Sequence, residues 1–190
     1  MIPDAPVAFW RFFDLISLAF IFAVVSVLMI SHRKRSGSLL GSISQTVAAS
    51  KRSSLAFSVV MTIFFPLYYA FLWFWVWPLT STPIYLYLLL LVSAVFEMIF
   101  VWVPATDGNS RKIHEVSAGF VGLFMFIVAL VMLHTGKIST VGSVAILVFL
   151  LVSITMLALF TIPRYRKHTF LYECIYCITF LAAMSVVAHA

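Results

Sequence analysis

The stretch EMIFVWVPATDGNSRKIHE, residues 97–115, decides how the chain is read. It closes one apolar run, turns, and opens another. Three of the six acidic residues lie in it, Glu97, Asp107 and Glu115, beside Arg111, Lys112 and His114. Pro104 stops the first run, and ATDGNS has the composition of a turn. Asn109 or Ser110 stands where the next helix needs a cap. On either side the sequence stays apolar for about 20 residues, the length that crosses the hydrocarbon of a bilayer. The stretch therefore reads as a short polar link between two membrane spans.

The same pattern repeats outward in both directions. Six spans follow, at about 12–31, 54–77, 84–103, 112–134, 140–162 and 169–190. The expected fold is all-α: a polytopic integral membrane protein, residues 1–190 forming one six-transmembrane-helix bundle. Composition supports this. Of 190 residues, 64% are hydrophobic and only 9% charged, with a mean hydropathy of +1.14. A soluble domain carries about a quarter charged residues, so this chain cannot cover itself in water. The N-terminus lacks a basic n-region and a small-residue cleavage site, which makes the first run a retained span. Pro66 falls inside the second span, where neighbouring helices can re-satisfy the carbonyl it frees. Trp73, Trp75 and Trp77 near its end read as an interfacial aromatic belt. In the loop after span one, Leu39, Leu40, Ile43 and Val47 recur at helical spacing. That loop reads either as a short interfacial helix with its apolar side in the headgroups or as a solvated linker.

Charge gives orientation. Arg33, Lys34, Arg35, Lys51, Arg52, Arg111, Lys112, Arg164, Arg166 and Lys167 follow spans one, three and five, ten of the twelve basic residues; only Arg11 and Lys137 fall on the other side. The positive-inside rule then predicts loops 32–53, 104–111 and 163–168 in the cytoplasm and both termini opposite. The net charge of +6 is accounted for by topology and is no nucleic-acid signal.

Few polar groups remain inside the spans. Glu97 lies seven residues before Pro104, roughly 10 Å below the boundary at 1.5 Å per residue. An acid at that depth costs a few kcal/mol to insert and marks an ion path, a proton relay or a ligand contact. A hydrogen-bonded structural acid is the competing reading. Ser93 sits one turn away on the same face. Glu115 and Glu173, in the first turns of spans four and six, suit helix N-termini by themselves. If spans three, four and six adjoin, these acids with His114 form one site for a proton, a cation or a cationic ligand.

His32, His114 and His168 are predicted at the inner interface, and His134 and His189 at the outer. Histidines bracketing spans four and six lie some 30 Å apart along their helices, too far toward the interfaces for a mid-membrane b-haem. No HExxH or paired CxxC pattern suggests a metal, and no cofactor is expected. Cys174 and Cys177 form a lone CxxC, read mainly as two small apolar residues of a span. Asp14 and Arg11, one turn apart, read as an interfacial ion pair. Ala118, Gly119 and Gly122 give span four a small-residue face for helix packing, within the bundle or against a partner chain.

The segment VPATDGNSRKIHEVSAG, residues 103–119, resembles the link between spans three and four in the Frag1/DRAM-like group and in a prokaryotic group with a proline–aspartate–histidine link. The shared elements are Pro104 and Asp107 after one span, then His114 and Ala118 opening the next. The long non-cytoplasmic first loop of the Frag1/DRAM-like group is replaced here by a short basic one. The resemblance implies a small membrane protein of lipid handling or membrane organisation, and it supplies no catalytic residues.

No nucleophile elbow, Walker loop or acyl-transfer triad is present, which points away from an enzyme. The reading is a membrane protein that binds a lipid or small molecule or serves as a subunit of a membrane complex. Its partners are the bilayer and a membrane protein or second copy of the chain. The alternative is a proton- or cation-coupled transporter using Glu97 with Glu115 and Glu173, and a weaker one is a membrane-embedded enzyme or haem protein.

Overall fold

A computed structural model describes residues 7–36, 42–48, 50–81, 83–103, 108–135 and 137–190. Six helices in it are long and apolar enough to cross a membrane, and they are numbered here as spans: one, Phe9–Lys34; two, Lys51–Leu79; three, Ile84–Trp102; four, Gly108–His134; five, Thr140–Thr161; six, Thr169–His189. The shortest, 19 residues, is roughly 29 Å long at 1.5 Å per residue, which matches a hydrocarbon core of about 30 Å. The protein is an all-α, six-helix, multi-pass membrane bundle.

The spans form a closed ring. Each packs on the next in the chain, and span six returns to span one. Large apolar side chains such as Phe12, Ile84, Leu88 and Leu157 point outward, where lipid solvates them at no cost. Lipid tails are as apolar as leucine, so the ring is held by close packing and polar bonds rather than by a hydrophobic drive between helices. Gly142 shows such a close approach. A Cβ added there would lie 3.3 Å from Val187 Cγ2, so spans five and six meet where span five has no side chain.

Within the bundle, the glycines of span four make no such close approach. A Cβ added at Gly119 or Gly122 would meet nothing within 4 Å. Phe120 stacks on Phe96 of span three at 4.1 Å between ring centroids. This bulky pair fills the junction of spans three and four and leaves Gly119 exposed. Ala118 is half-buried, and the Gly122 carbonyl accepts the Tyr176 hydroxyl of span six at 2.6 Å.

Span two continues helically through Pro66 and then widens to a π-helical turn over Leu72–Val76. The wider turn shifts the phase of the residues that follow. Instead of an interfacial belt, the end of this span is partly core. Trp77 is fully buried, and Trp73 and Trp77 both pack edge-on to Tyr87 of span three. The turns at this end are stitched together, since the Lys137 amide donates to the Thr80 carbonyl at 3.1 Å.

At the other end, which carries the basic loops, Gly108 opens span four at a φ of +58°, a conformation that suits glycine. The first loop contains a six-residue helix, Ile43–Ala48. It does not lie outward in the interface: Thr46 and Val47 are buried against the ends of the spans, and the helix packs on spans one, two and six. We refer to it as the cap helix. Leu39 and Leu40, the first half of the apolar spacing in this loop, fall outside the described residues.

Candidate functional site

An isolated six-residue helix is far too short to hold itself together in water. The cap helix is held by three spans. The Ile43 amide, one of the N-terminal donors with no partner inside the helix, donates to Glu173 Oε2 of span six at 2.7 Å. The Ser44 hydroxyl lies 2.5 Å from His114 Nε2 of span four. His114 Nδ1–H donates to the Val103 carbonyl at 2.7 Å, which leaves Nε2 of the neutral ring to accept from Ser44. The Thr46 hydroxyl gives its proton to the Ser42 carbonyl. His32 Nδ1–H of span one therefore donates to Thr46 Oγ1, at 2.5 Å, and the His32 ring stacks on Phe170. Two histidines read as interfacial are thus buried anchors of the cap.

Below the cap, the ring encloses a cavity of about 100 Å³. Spans one, two, three, four and six line it, and Ile43 of the cap helix closes its basic end. The surface of the cavity is apolar (Val25, Met61, Phe64, Phe100, Phe124 and Phe180 among others); Glu97, Tyr68, Tyr69 and Cys177 stand in the wall with their apolar parts toward it.

Glu97 is 1% exposed. The Tyr69 hydroxyl of span two donates to Glu97 Oε2. That proton committed, Ser93 Oγ–H donates to the Tyr69 oxygen, across 3.2 Å. Helix geometry explains the meeting. Side chains lean toward the N-terminus of their own helix, and spans two and three run in opposite directions, so Tyr69 and Glu97 lean toward one another. Ser93 and Glu97, four residues apart, share the inward face of span three. Tyr69 had no separate signal in a span rich in aromatic residues; only the pairing of spans two and three singles it out.

The remaining acids separate. Glu173 is half-buried beneath the cap helix, one turn before Cys177, which stands in the cavity wall. Spans three and four adjoin, but Glu115 stays outside the ring. It pairs with Arg111 one turn earlier at 2.7 Å, both side chains 57% exposed. Glu97 thus stands in the cavity wall, Glu173 and His114 belong to the cap, and Glu115 joins neither. Pro104 and Asp107 of the link lie outside the described residues.

A second buried polar group sits at the end opposite the cap. Asp14 of span one is 1% exposed, and its partners are on span six: Ser185 Oγ–H donates to Oδ2 at 2.5 Å, and His189 Nε2–H at 2.9 Å. The ion pair with Arg11 is not formed. Arg11 points outward and exposed, because Asp14 is turned toward the ring interior by the packing of span one on span six. Asp14 Oδ1 and the Tyr68 hydroxyl are both buried without a hydrogen-bond partner, and they lie within electrostatic reach of each other.

Cys174 and Cys177 are free thiols. Among the described residues, no three His, Cys, Asp or Glu side chains are grouped as a metal site. Comparison of the chain with models of known families, with curated proteins and with solved structures finds no match.

Proposed function

We propose that this membrane protein binds a small, largely apolar molecule within the bilayer, in the central cavity, with the Ser93–Tyr69–Glu97 series as its polar anchor. One observation carries the reading: an apolar cavity lined by five spans, with the buried Glu97 standing in its wall. Ligand sites have this composition, an apolar lining with a few converging polar groups. A carboxyl anchor suits a head group that is cationic or donates hydrogen bonds, and the small volume suits a slender aliphatic body. The Frag1/DRAM-like resemblance of residues 103–119 agrees with a role in lipid handling. We further propose the orientation that the basic loops require, with the cap helix at the cytoplasmic face and the Asp14–His189 end opposite.

The test is native mass spectrometry of the protein released from nanodiscs made with a total lipid extract. Wild type is expected to retain a bound non-protein mass. Val25→Phe, which fills the cavity from span one, and Glu97→Gln, which weakens the anchor, are expected to lose it. Wild type released at the mass of the bare chain, or a mass retained unchanged by both variants, overturns the reading.

A further inference from the structure

The central cavity lies toward the basic end of the ring. Its members on span three, Glu97 and Phe100, are in the last two turns of that helix, and Phe57 is in the second turn of span two. Toward the Asp14–His189 end large side chains fill the ring. Phe71, Leu72, Trp77, Leu86, Met132 and Met184, from spans two, three, four and six, are fully buried there. A ligand entering from that end would have to part a close-packed core, whose voids are few and small.

At the basic end the closure is lighter. A crevice of about 20 Å³ lies between the cap helix and spans two, three and four, lined in part by Ser44, Ser54 and His114. Three residues stand in the walls of both the crevice and the central cavity: Ile43 of the cap, Phe57 of span two and Phe100 of span three. They form the partition between the two spaces, and all three are only partly buried. One side of that partition is a six-residue helix with no stability of its own. Hydrogen bonds to Glu173, His114 and His32 hold it. Such bonds contribute little net stability each, because water replaces the lost partner when one breaks. The other sides of the cavity part only if whole spans separate.

We propose that the cap helix is the lid of the central cavity. When it undocks, Ile43 leaves the partition, and crevice and cavity become one passage from the basic face to the ligand site. The proposal rests on the reading of the cavity as a ligand site, which it supplies with an entrance and a control. Three bonds at the end of the bundle, rather than the packing of the six spans, set how often the site is open. Docked, the cap shuts the ligand in behind the Ile43 side chain. Exchange of the ligand is then gated by local opening of six residues, the kind of low-stability segment from which lids over binding sites are drawn.

The experiment reads the entrance without any ligand. Cys174 and Cys177 are the only cysteines of the chain, and Cys177 stands in the cavity wall. Cys174→Ala therefore leaves one thiol, placed inside. Its labelling by methyl methanethiosulfonate, a small neutral reagent, is followed by intact mass in nanodiscs of synthetic phosphatidylcholine. Glu173 is kept throughout, because a charge one turn from the thiol acts on its reactivity directly. In this background Ser44→Ala and Thr46→Val, which break the cap's bonds to His114 and His32, are expected to label several-fold faster. Phe57→Ala widens the partition from span two with those bonds in place, and the same direction is expected. His134→Asn, at an exposed histidine of the opposite end, is expected to match the background. Background rates in all three of Ser44→Ala, Thr46→Val and Phe57→Ala, each shown folded by its melt, overturn the proposal, since the thiol would then be reached between the spans. Labelling that answers to the cap, in a protein whose native mass spectrum holds no bound mass, supports the lid and overturns only the ligand reading. A bound mass with labelling indifferent to the cap does the reverse.

Discussion

Glu173→Ala should release the cap helix while leaving the six spans in place. The substitution removes the acceptor of the Ile43 amide, a bond of 2.7 Å to a carboxylate. A hydrogen bond to a charged group contributes about 1.5–3 kcal/mol. The cap has six residues and no stability of its own, so the loss falls on its docking equilibrium rather than on the bundle. At about 1.4 kcal/mol per tenfold, opening should become roughly 10- to 150-fold more frequent. Hydrogen exchange of the protein in nanodiscs, read by mass spectrometry over a peptide covering residues 43–48, measures this directly. Exchange there should accelerate by that factor, while peptides from spans four and five keep their rates. Glu173→Gln keeps an acceptor oxygen and loses the charge, so it should fall between wild type and Glu173→Ala. Ser44→Ala breaks only a neutral bond to His114 and should have the smaller effect expected of about 0.5–1.5 kcal/mol. Unchanged exchange over 43–48 in a well-folded Glu173→Ala protein would refute the reasoning, because the docking would then not rest on that carboxylate.

Three further outcomes follow from the packing. Tyr69→Phe should lower the unfolding free energy in detergent by roughly 1–2 kcal/mol, because the Glu97 carboxyl loses its donor in an apolar wall. A thermal melt at unchanged midpoint would contradict it. Gly142→Leu should destabilise by about 1–3 kcal/mol, since even a Cβ there lies 3.3 Å from Val187 Cγ2, whereas Gly119→Ala should leave the monomer unaffected; parallel melts of the two variants check the contrast. Arg111→Ala should change stability by less than about 0.5 kcal/mol, because the Arg111–Glu115 pair is exposed on both sides, as the same melt would reveal.

The features legible in the sequence are those the membrane itself imposes. Six apolar runs of spanning length are visible because no other solvent tolerates them. Glu97 stands out because an acid within such a run must face inward. What stayed hidden depends on partners far along the chain. Asp14 has Arg11 one turn away, and local spacing pairs them, but its partners Ser185 and His189 are 171 and 175 residues distant. Glu173 suits its own helix terminus by position, yet it caps another helix 130 residues earlier. The glycines of span four permit a close contact, but inside the bundle they do not make one. Whether two helices use the permission is decided by the larger side chains beside them, here Phe96 and Phe120. The cap helix was half legible: its helical spacing was present, but burial against the bundle needed His32, His114 and Glu173 to be brought to one end.

The cap and Asp14 also set an order of manufacture. The first loop cannot complete its bonds until Glu173, 130 residues later, has been synthesised, which is about 7–26 s at ribosomal rates. Asp14 waits longer still, for Ser185 and His189 in the last turns of span six. Until then the inserting chain carries an acid in span one that has no span six to answer it, and an arc of helices with two free edges. A chain broken off before span six would keep five membrane helices and lose the closure of the ring at a single stroke. Quality control in the membrane would therefore have a sharp signal to act on, an unanswered carboxyl in the first span that only the arrival of span six can bury.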